Sequence, residues 1–144
     1  MENSLHYLLM ANHLLFQKEL LSYIKDSELT PGQPKVLDYL TKHDGSVQKD
    51  IAAKCHIEPA TLTSVLLRME NKGLIIRKNK DGNRRSLYVF LTNKGRMTAE
   101  RVEQYFSNIE TKALDGFSKE ETETLCALLT KLNNNMMKEA DENE

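Results

Sequence analysis

The sequence has no tryptophan, only two cysteines and no long apolar run. Cys55 and Cys126 are 71 positions apart, so they form no CxxC motif, and neither a disulfide framework nor a zinc finger is expected. The longest uninterrupted apolar stretches, such as Tyr7 to Ala11, are far shorter than the ~18 residues of a membrane-spanning helix. The first residues also lack the basic segment of a secretion signal. These absences predict a cytoplasmic protein with no membrane partner.

The composition is typical of a folded protein of modest size. The chain has 144 residues, of which 40% are hydrophobic and 28% are charged. These values are close to the average of globular proteins. A chain with this share of hydrophobic residues is not expected to be disordered. Because domains commonly hold ~100–200 residues, and because no repeat or linker interrupts the sequence, we expect a single domain over residues 1–144.

The net charge of −1 conceals an uneven distribution. From Arg68 to Arg96, nine basic residues stand against two acidic ones, which gives this segment a charge of +7. From Glu120 to Glu144, seven acidic residues stand against two basic ones, which gives −5. A basic middle segment is typical of proteins that bind anions, although a solvated surface loop has the same pattern.

Apolar residues recur every three to four positions at both ends of the chain, which predicts helices there. We expect a first helix from Ser4 to about Lys25, with apolar residues on more than one face. Such a helix usually has more than one neighbour. A second helix is expected to begin with Thr30 at the N-cap, Pro31 at the first helical position and Gln33 at the third.

The middle of the chain has the pattern of a helix-turn-helix. Ser46 is expected to cap a short third helix, and residues 56–59 to form a turn. Pro59 then begins a fourth helix, which runs from about Ala60 to Asn71 and ends before Gly73, a residue suited to the left-handed conformation. Two short helices joined by a turn of about four residues define this motif.

The period then changes from about 3.6 to about 2, which predicts strands at Leu74–Arg77 and Leu87–Leu91. An Asp-Gly turn signal lies between them, within residues 79–83, so we expect a two-stranded hairpin. Thr92 is expected to cap a long fifth helix from Asn93 to about Leu114. That helix has an apolar stripe of Met97, Val102, Tyr105, Phe106 and Ile109.

Ser118 and Glu121 have the spacing of a capping box at the start of a last helix. The predicted fold is therefore mainly α-helical with a small β-hairpin, in the order of a winged helix-turn-helix. In such folds the second helix of the pair lies in the major groove of DNA and the hairpin contacts the backbone or the minor groove.

The outward face of the fourth helix carries side chains that suit this role. Thr61, Thr63, Ser64 and Arg68 all avoid the apolar stripe of Leu62, Val65, Leu66 and Met69. Their hydroxyl and guanidinium groups can bind base edges or phosphates, and a threonine methyl can contact thymine. For each residue alone, the alternative is an ordinary polar, solvated position. For the group this alternative is weaker, because the basic hairpin follows directly in the sequence.

Three segments carry a resemblance to the MarR family of bacterial transcription regulators. They are LTPGQPKVLDYL at residues 29–40, QKDIAAKCHIEPATLTSVLLRMENKGLIIR at 48–77, and DGNRRSLYVFLTNKGR at 81–96. The middle segment is common to many winged helices, whereas its combination with the other two is more specific. With the flanking helices, the resemblance covers nearly the whole chain.

The resemblance implies a homodimer that binds double-stranded, pseudo-palindromic DNA and represses transcription until a small-molecule effector releases it. Residues from about 30 to 92 would form the winged-helix DNA-binding lobe. Residues from about 4 to 25 and from 93 to 138 would form dimerisation helices. No cofactor is implied.

The resemblance also implies an Asp-x-Arg motif at the tip of the wing, where the arginine enters the minor groove. The matching positions are Asn83 and Arg85, so asparagine stands where the family usually has aspartate. An asparagine can still hydrogen-bond a guanidinium, but without an ion pair. Asp81 is the alternative carboxylate for this role. Both Arg84 and Arg85 are therefore predicted DNA contacts, with Arg85 favoured for the groove.

The family's effector site usually lies between the dimer body and the DNA-binding lobe. The residues predicted to line it are Asn12, His13, Phe16 and His43. His6 and His13 are seven positions apart and could bind a metal, but surface or interface histidines have the same spacing. No metal site is predicted, because metal sensors usually have a denser set of ligands.

Three other function classes compete with this prediction. The first is a redox sensor, in which His56 would lower the pKa of Cys55; a buried structural cysteine is the alternative. Cys126 is expected on the inward stripe of the last helix. The second class is an enzyme, but no phosphate loop, carboxylate pair or nucleophile motif is present, so no catalytic residue is predicted. The third is a winged helix that binds protein, whose recognition face would usually be acidic or apolar.

Overall fold

The structure, a computed structural model, describes residues 3–79 and 86–142. Within these ranges the chain is mainly helical and has one small sheet. The elements are α1 (Leu5–Ile24), α2 (Gln33–Lys42), β1 (Ser46–Val47), α3 (Gln48–Lys54), α4 (Pro59–Asn71), β2 (Ile75–Asn79), β3 (Leu87–Leu91), α5 (Asn93–Ala113) and α6 (Lys119–Glu142).

The chain divides into two compact units, residues 1–109 and residues 110–144. The first unit holds α1 to α4, the sheet and most of α5, and the second holds the end of α5 together with α6. A single domain over the whole chain therefore stays a prediction. None of the helices in the described ranges is long and apolar enough to cross a membrane.

The core of the first unit forms where α2, α3, α4 and the sheet meet. Leu37 of α2, Ile51 of α3 and Leu66 of α4 are each 0% exposed, and Val89 of β3 is buried with them. These positions fall on the apolar stripes of their helices, because residues three and four apart share one helical face. The core therefore fixes which face of each helix points outward.

The sheet has three antiparallel strands in the order β1-β3-β2. The expectation that Ser46 caps a helix is wrong: Ser46 lies in β1, opposite Val89, and its hydroxyl donates to the carbonyl of His43 at 2.6 Å. Pairing with β1 covers an edge of β3 that would otherwise have unpaired backbone groups. The predicted two-stranded hairpin is thus two strands of a larger sheet, and its first strand extends to Asn79.

The second helix begins later than predicted. It starts at Gln33, with Pro34 in the first turn, whereas Pro31 lies in the preceding turn. The side chain of Gln33 nevertheless makes the expected return contact, because its Oε1 accepts the backbone N–H of Thr30 at 3.2 Å. Pro31 and Pro34 both suit the first turn of a helix, and Pro34 is the one that lies there.

Other predicted helix boundaries are confirmed. Helix α4 begins at Pro59, and Gly73 follows its end with a φ of +74°. The hydroxyl of Thr92 accepts the backbone N–H of Gly95 at 2.9 Å and so caps α5. Ser118 and Glu121 form the reciprocal capping box at the start of α6, with both bonds at 3.0 Å.

Helix α5 packs through part of its predicted stripe. Val102 and Ile109 are buried, and Tyr105 stacks on Tyr23 of α1 with ring centroids 5.2 Å apart. Met97 is 59% exposed and does not belong to the stripe in this structure.

The start of α5 lies directly against the residue that precedes β2. The carbonyl of Leu74 accepts the backbone N–H of Thr92 at 3.0 Å. A Cβ atom at Gly95 would lie 2.0 Å from that same carbonyl oxygen. Only glycine allows such a close approach of two backbone segments.

We expect Gly95→Ala to lower the free energy of unfolding by about 1–3 kcal/mol, the usual range for overpacking. An alanine in a helix normally stabilises by about 0.5–1 kcal/mol relative to glycine, so the sign of the change is diagnostic. Urea denaturation measures it. Glu100→Ala, at an exposed position of α5, serves as the control and should change little. A stabilised Gly95→Ala protein would contradict the close packing.

Candidate nucleic-acid interface

The outward face of α4 is polar and solvent-exposed. Thr61, Ser64 and Arg68 are exposed. They lie three, four and seven positions apart, which places them on one side of the helix. Thr63 is exposed beside them, and its hydroxyl donates to the carbonyl of Pro59 at 3.0 Å. The structure therefore brings the four helix residues of the predicted interface onto one face.

One residue of this face was missed by the sequence reasoning. Leu67 is 48% exposed and lies four residues after Thr63 and three after Ser64, next to both on the helix surface. The four buried residues of α4 already complete its inward stripe, so a further leucine outside that stripe was the available signal. Its methyl groups suit contact with the C5-methyl of thymine.

The turn between α3 and α4 sets the direction of α4. His56 has a φ of +53°, a left-handed conformation that is uncommon for residues other than glycine. The next residue, Ile57, is buried, and its N–H donates to the carbonyl of Ala52 at 3.0 Å. Thus His56 reverses the chain while Ile57 anchors it to α3.

The wing consists of β2 and β3, paired from Ile75 opposite Leu91 to Asn79 opposite Leu87. The Nζ of Lys78 lies 5.4 Å from the centroid of the Phe90 ring, which is a cation–π distance. The predicted tip contacts Arg84 and Arg85, with Asn83 and Asp81, lie outside the described residues.

Arg77 of β2 joins the wing to both helices of the motif. Its Nε and Nη2 donate to the two carboxylate oxygens of Glu70, each at 3.1 Å, and its Nη1 donates to Oε1 of Gln48 at 3.2 Å. Glu70 lies in the last turn of α4, and Gln48 begins α3. The hydrogen bonds from Arg77 hold the pKa of the Glu70 carboxyl below its ordinary value, and burial opposes them.

Several cations of the basic segment are bound to protein groups. Arg96 pairs with Asp44 at 2.8 Å, and the other oxygen of Asp44 accepts the N–H of Leu91 at 2.8 Å. Lys94 lies 3.5 Å from the carboxylate of Glu28. The sequence count of +7 therefore overstates the charge available to a ligand.

Lys72 and Lys94 also hold the backbone around the end of α4. The ammonium of Lys72 donates to the carbonyl of Glu28 and lies 3.5 Å from Oε1 of Gln33. The ammonium of Lys94 donates to the carbonyl of Lys72 at 2.8 Å. These bonds join the turn after α1, the end of α4 and the start of α5.

The predicted effector residues lie on α1 and at the end of α2. The amide of Asn12 donates to the carbonyl of Leu8 at 2.7 Å, within its own helix, and His13 is exposed. Phe16 stacks on Phe106 of α5 with centroids 6.3 Å apart, whereas His43 stacks on Tyr39 of α2 at 4.6 Å. The two rings thus have different partners.

A cavity of about 250 Å³ lies elsewhere, between the turn after α1 and one face of α5. Leu29 and Leu74 are its buried apolar residues, and Arg101 and Tyr105 line it from α5. None of the predicted effector residues lines this cavity. Sequence reasoning missed it because its walls come from three distant segments.

Cys55 is unlike a thiolate sensor. Burial raises the pKa of the Cys55 thiol, Lys35 opposes this shift, and Asp38 adds to it. The thiol lies 3.7 Å from the carbonyl of Lys35, a donor–acceptor distance for sulfur. Cys126 is exposed, so it does not lie on an inward stripe. Among the described residues, no cluster of three or more His, Cys, Asp or Glu side chains could hold a metal ion.

A helix-turn-helix with an exposed polar second helix, followed by paired strands, defines a winged helix-turn-helix protein. A profile of the MarR family matches residues 29–87. The organic hydroperoxide resistance transcriptional regulator of Bacillus subtilis (strain 168) is 30% identical over 102 residues, which are 71% of this chain and 69% of that protein. The chain belongs to the MarR family of transcriptional regulators.

Solved structures of MarR-type regulators have the same fold. Staphylococcus aureus MepR in its DNA-binding conformation has a TM-score of 0.83 and 26% identity, over 92% of this chain and 98% of that one. The transcriptional repressor CouR, bound to a 23-mer DNA duplex, has a TM-score of 0.81 and 26% identity, over 92% and 94%. The predicted family and fold class are confirmed.

The raised pKa of Cys55 predicts slow alkylation. In a Cys126→Ser protein, we expect Cys55 to react with iodoacetamide at pH 7.5 more slowly than a cysteine in a short unstructured peptide, because less thiolate is present. Mass spectrometry of timed samples gives both rates. In urea the two rates should converge, which controls for intrinsic reactivity. A faster reaction in the folded protein would restore the redox alternative.

Proposed function

We propose that the protein is a repressor that binds a pseudo-palindromic operator in double-stranded DNA as a homodimer and is released by a small-molecule effector. The observation that carries the proposal is the exposed polar face of α4, beside the strands of a wing. In this architecture the second helix enters the major groove, and dimers bind half-sites about one helical turn apart.

The DNA contacts of the proposal divide by chemistry. Thr61, Thr63 and Ser64 would bind base edges or phosphates, and Arg68 would bind a guanine or a phosphate. Arg84 and Arg85 would bind the backbone or the minor groove from the wing, where the negative potential favours arginine. The first four share the face of α4.

Dimerisation is supported by the apolar side chains that α1 and α6 leave exposed. Only Leu20 and Ile24 of α1 are buried, whereas Leu5, Met10, Leu14 and Leu15 are at least 60% exposed. In α6 the exposed apolar residues include Leu125, Leu128, Leu129, Met136 and Met137. Apolar surface of this extent is typical of a subunit interface.

The remaining parts of the proposal follow from the role of the protein. A regulator of transcription acts where the chromosome is, so we place it in the cytoplasm, without catalytic activity or a cofactor. We retain Asn12, His13, Phe16 and His43 as the proposed effector site. Phe16 supports it, since this half-buried ring lies between α1 and α5.

The redox alternative has less support. The relative from Bacillus subtilis is named for organic hydroperoxide resistance, but this chain has no cysteine in α1, where peroxide sensors of the family carry theirs. A thiol with a raised pKa is a poor peroxide sensor, because the thiolate is the reacting species.

Fluorescence anisotropy with a duplex from the region upstream of the protein's own gene tests the proposal. We expect salt-sensitive binding that a scrambled duplex does not reproduce.

Arg85→Ala should lower the slope of log K against log salt by ~0.9 per lost phosphate contact. Ser64→Ala should instead change the preference among operator variants, with Lys25→Ala as a surface control. Equal, weak binding of the upstream and scrambled duplexes would leave two explanations: the operator lies elsewhere, or the protein is a winged helix that binds protein.

The dimer has its own test. Leu14 is 69% exposed on α1, and Leu14→Glu would place a charge in the proposed interface, which is costly without a partner. We expect sedimentation equilibrium to give the mass of a dimer for the original protein and a shift towards the monomer for Leu14→Glu. Leu67→Glu makes the same change at an exposed leucine of α4, outside the proposed dimer helices, and should stay dimeric. A monomeric original protein would overturn this part of the proposal.

A further inference from the structure

We propose that Arg77 is a positioning residue, which fixes the direction of the wing relative to α4 so that both can bind DNA together. This inference rests on the DNA-binding function proposed above. It concerns an arginine in the basic segment that would otherwise be counted among the DNA contacts.

Arg77 joins three elements through one planar group. Its guanidinium binds both oxygens of Glu70 and the amide oxygen of Gln48, at 3.1 to 3.2 Å. These bonds connect β2 to the end of α4 and to the start of α3. A bidentate pair of this kind restricts direction as well as distance. The wing is thereby held against the recognition helix at a defined angle.

The side chain of Arg77 is poorly placed to bind DNA itself. It is only 15% exposed, and three of its five N–H donors are used within the protein. Its neighbours in β2, Ile76 and Lys78, are exposed, whereas Ile75 is buried. Because side chains alternate along a strand, Arg77 lies on the inward side of β2 and Lys78 on the outward side.

The position of Glu70 supports the same role. A carboxylate near a DNA-binding surface repels phosphates, so its removal would ordinarily strengthen binding. Arg77 holds the pKa of Glu70 below its ordinary value, so the carboxylate stays charged at neutral pH. If Glu70 serves to hold Arg77, its neutralisation weakens DNA binding instead. The sign of this effect separates a positioning pair from a direct contact.

The first arm of the test measures DNA binding by anisotropy with the upstream duplex. We expect Glu70→Gln to weaken binding by about threefold or more, since coupled groups commonly contribute several-fold effects. Asp50→Asn removes an exposed acid from α3 and should leave binding unchanged or slightly stronger. Stronger binding by Glu70→Gln would overturn the proposal.

The second arm reverses the pair. Arg77→Glu should weaken binding by about tenfold or more, and the double variant Glu70→Arg, Arg77→Glu should recover most of it, because the ion pair is restored in the opposite sense. Lys25→Glu changes the net charge equally at an exposed site and controls for lost attraction. If Arg77 binds phosphate directly, the double variant stays as weak as Arg77→Glu.

The third arm needs no DNA and therefore separates this inference from the proposed function. Hydrogen exchange of the free protein should be faster in β2 and β3 for Arg77→Gln, with the core of α2 and α4 unchanged. Recovery in the charge-reversed double variant supports positioning. Exchange that is unchanged in the wing overturns the proposal, whether or not the original protein binds the duplex.

Discussion

The burial of one side of α4 is the constraint on which the proposed function depends. Leu62, Leu66 and Met69 are at most 1% exposed and pack with the buried residues of the first unit. Removing such a side chain commonly costs ~2–5 kcal/mol, so the helix cannot rotate about its axis without losing a large part of the stability of a small domain. The opposite side, with Ser64 and Arg68, is consequently held towards solvent.

Local signals in the sequence were enough to predict most element boundaries. Proline at position 59, glycine at 73 and the capping residues Thr92 and Ser118 each act within one turn of helix, so their effects do not depend on distant contacts. Strand β1 could not be predicted in this way. Its two residues are a strand only because β3 lies beside them, more than 40 positions later in the chain.

Only part of the candidate DNA interface could be predicted from the sequence, because local periodicity is visible there and contacts between distant residues are not. The polar face of α4 follows from helical periodicity, so Thr61, Ser64 and Arg68 could be selected from the sequence. The charge count was less informative, because it does not show partners: Arg77 and Arg96 bind Glu70 and Asp44. Met97 was assigned to the apolar stripe of α5, but the buried face runs through Gly95, Ala99 and Val102. Met97 lies two residues from both Gly95 and Ala99, on another side of the helix, and is therefore exposed.

The contact between Gly95 and Leu74 bears on how a signal can reach DNA. Leu74 leads into β2, and β3 leads into α5 through Thr92, so both strands of the wing are tied to the first turn of α5. The close approach of the two backbones leaves no room for α5 to slide over Leu74. A tilt of α5 would therefore tilt the wing with it, because the two are in direct backbone contact and no other segment has to carry the movement.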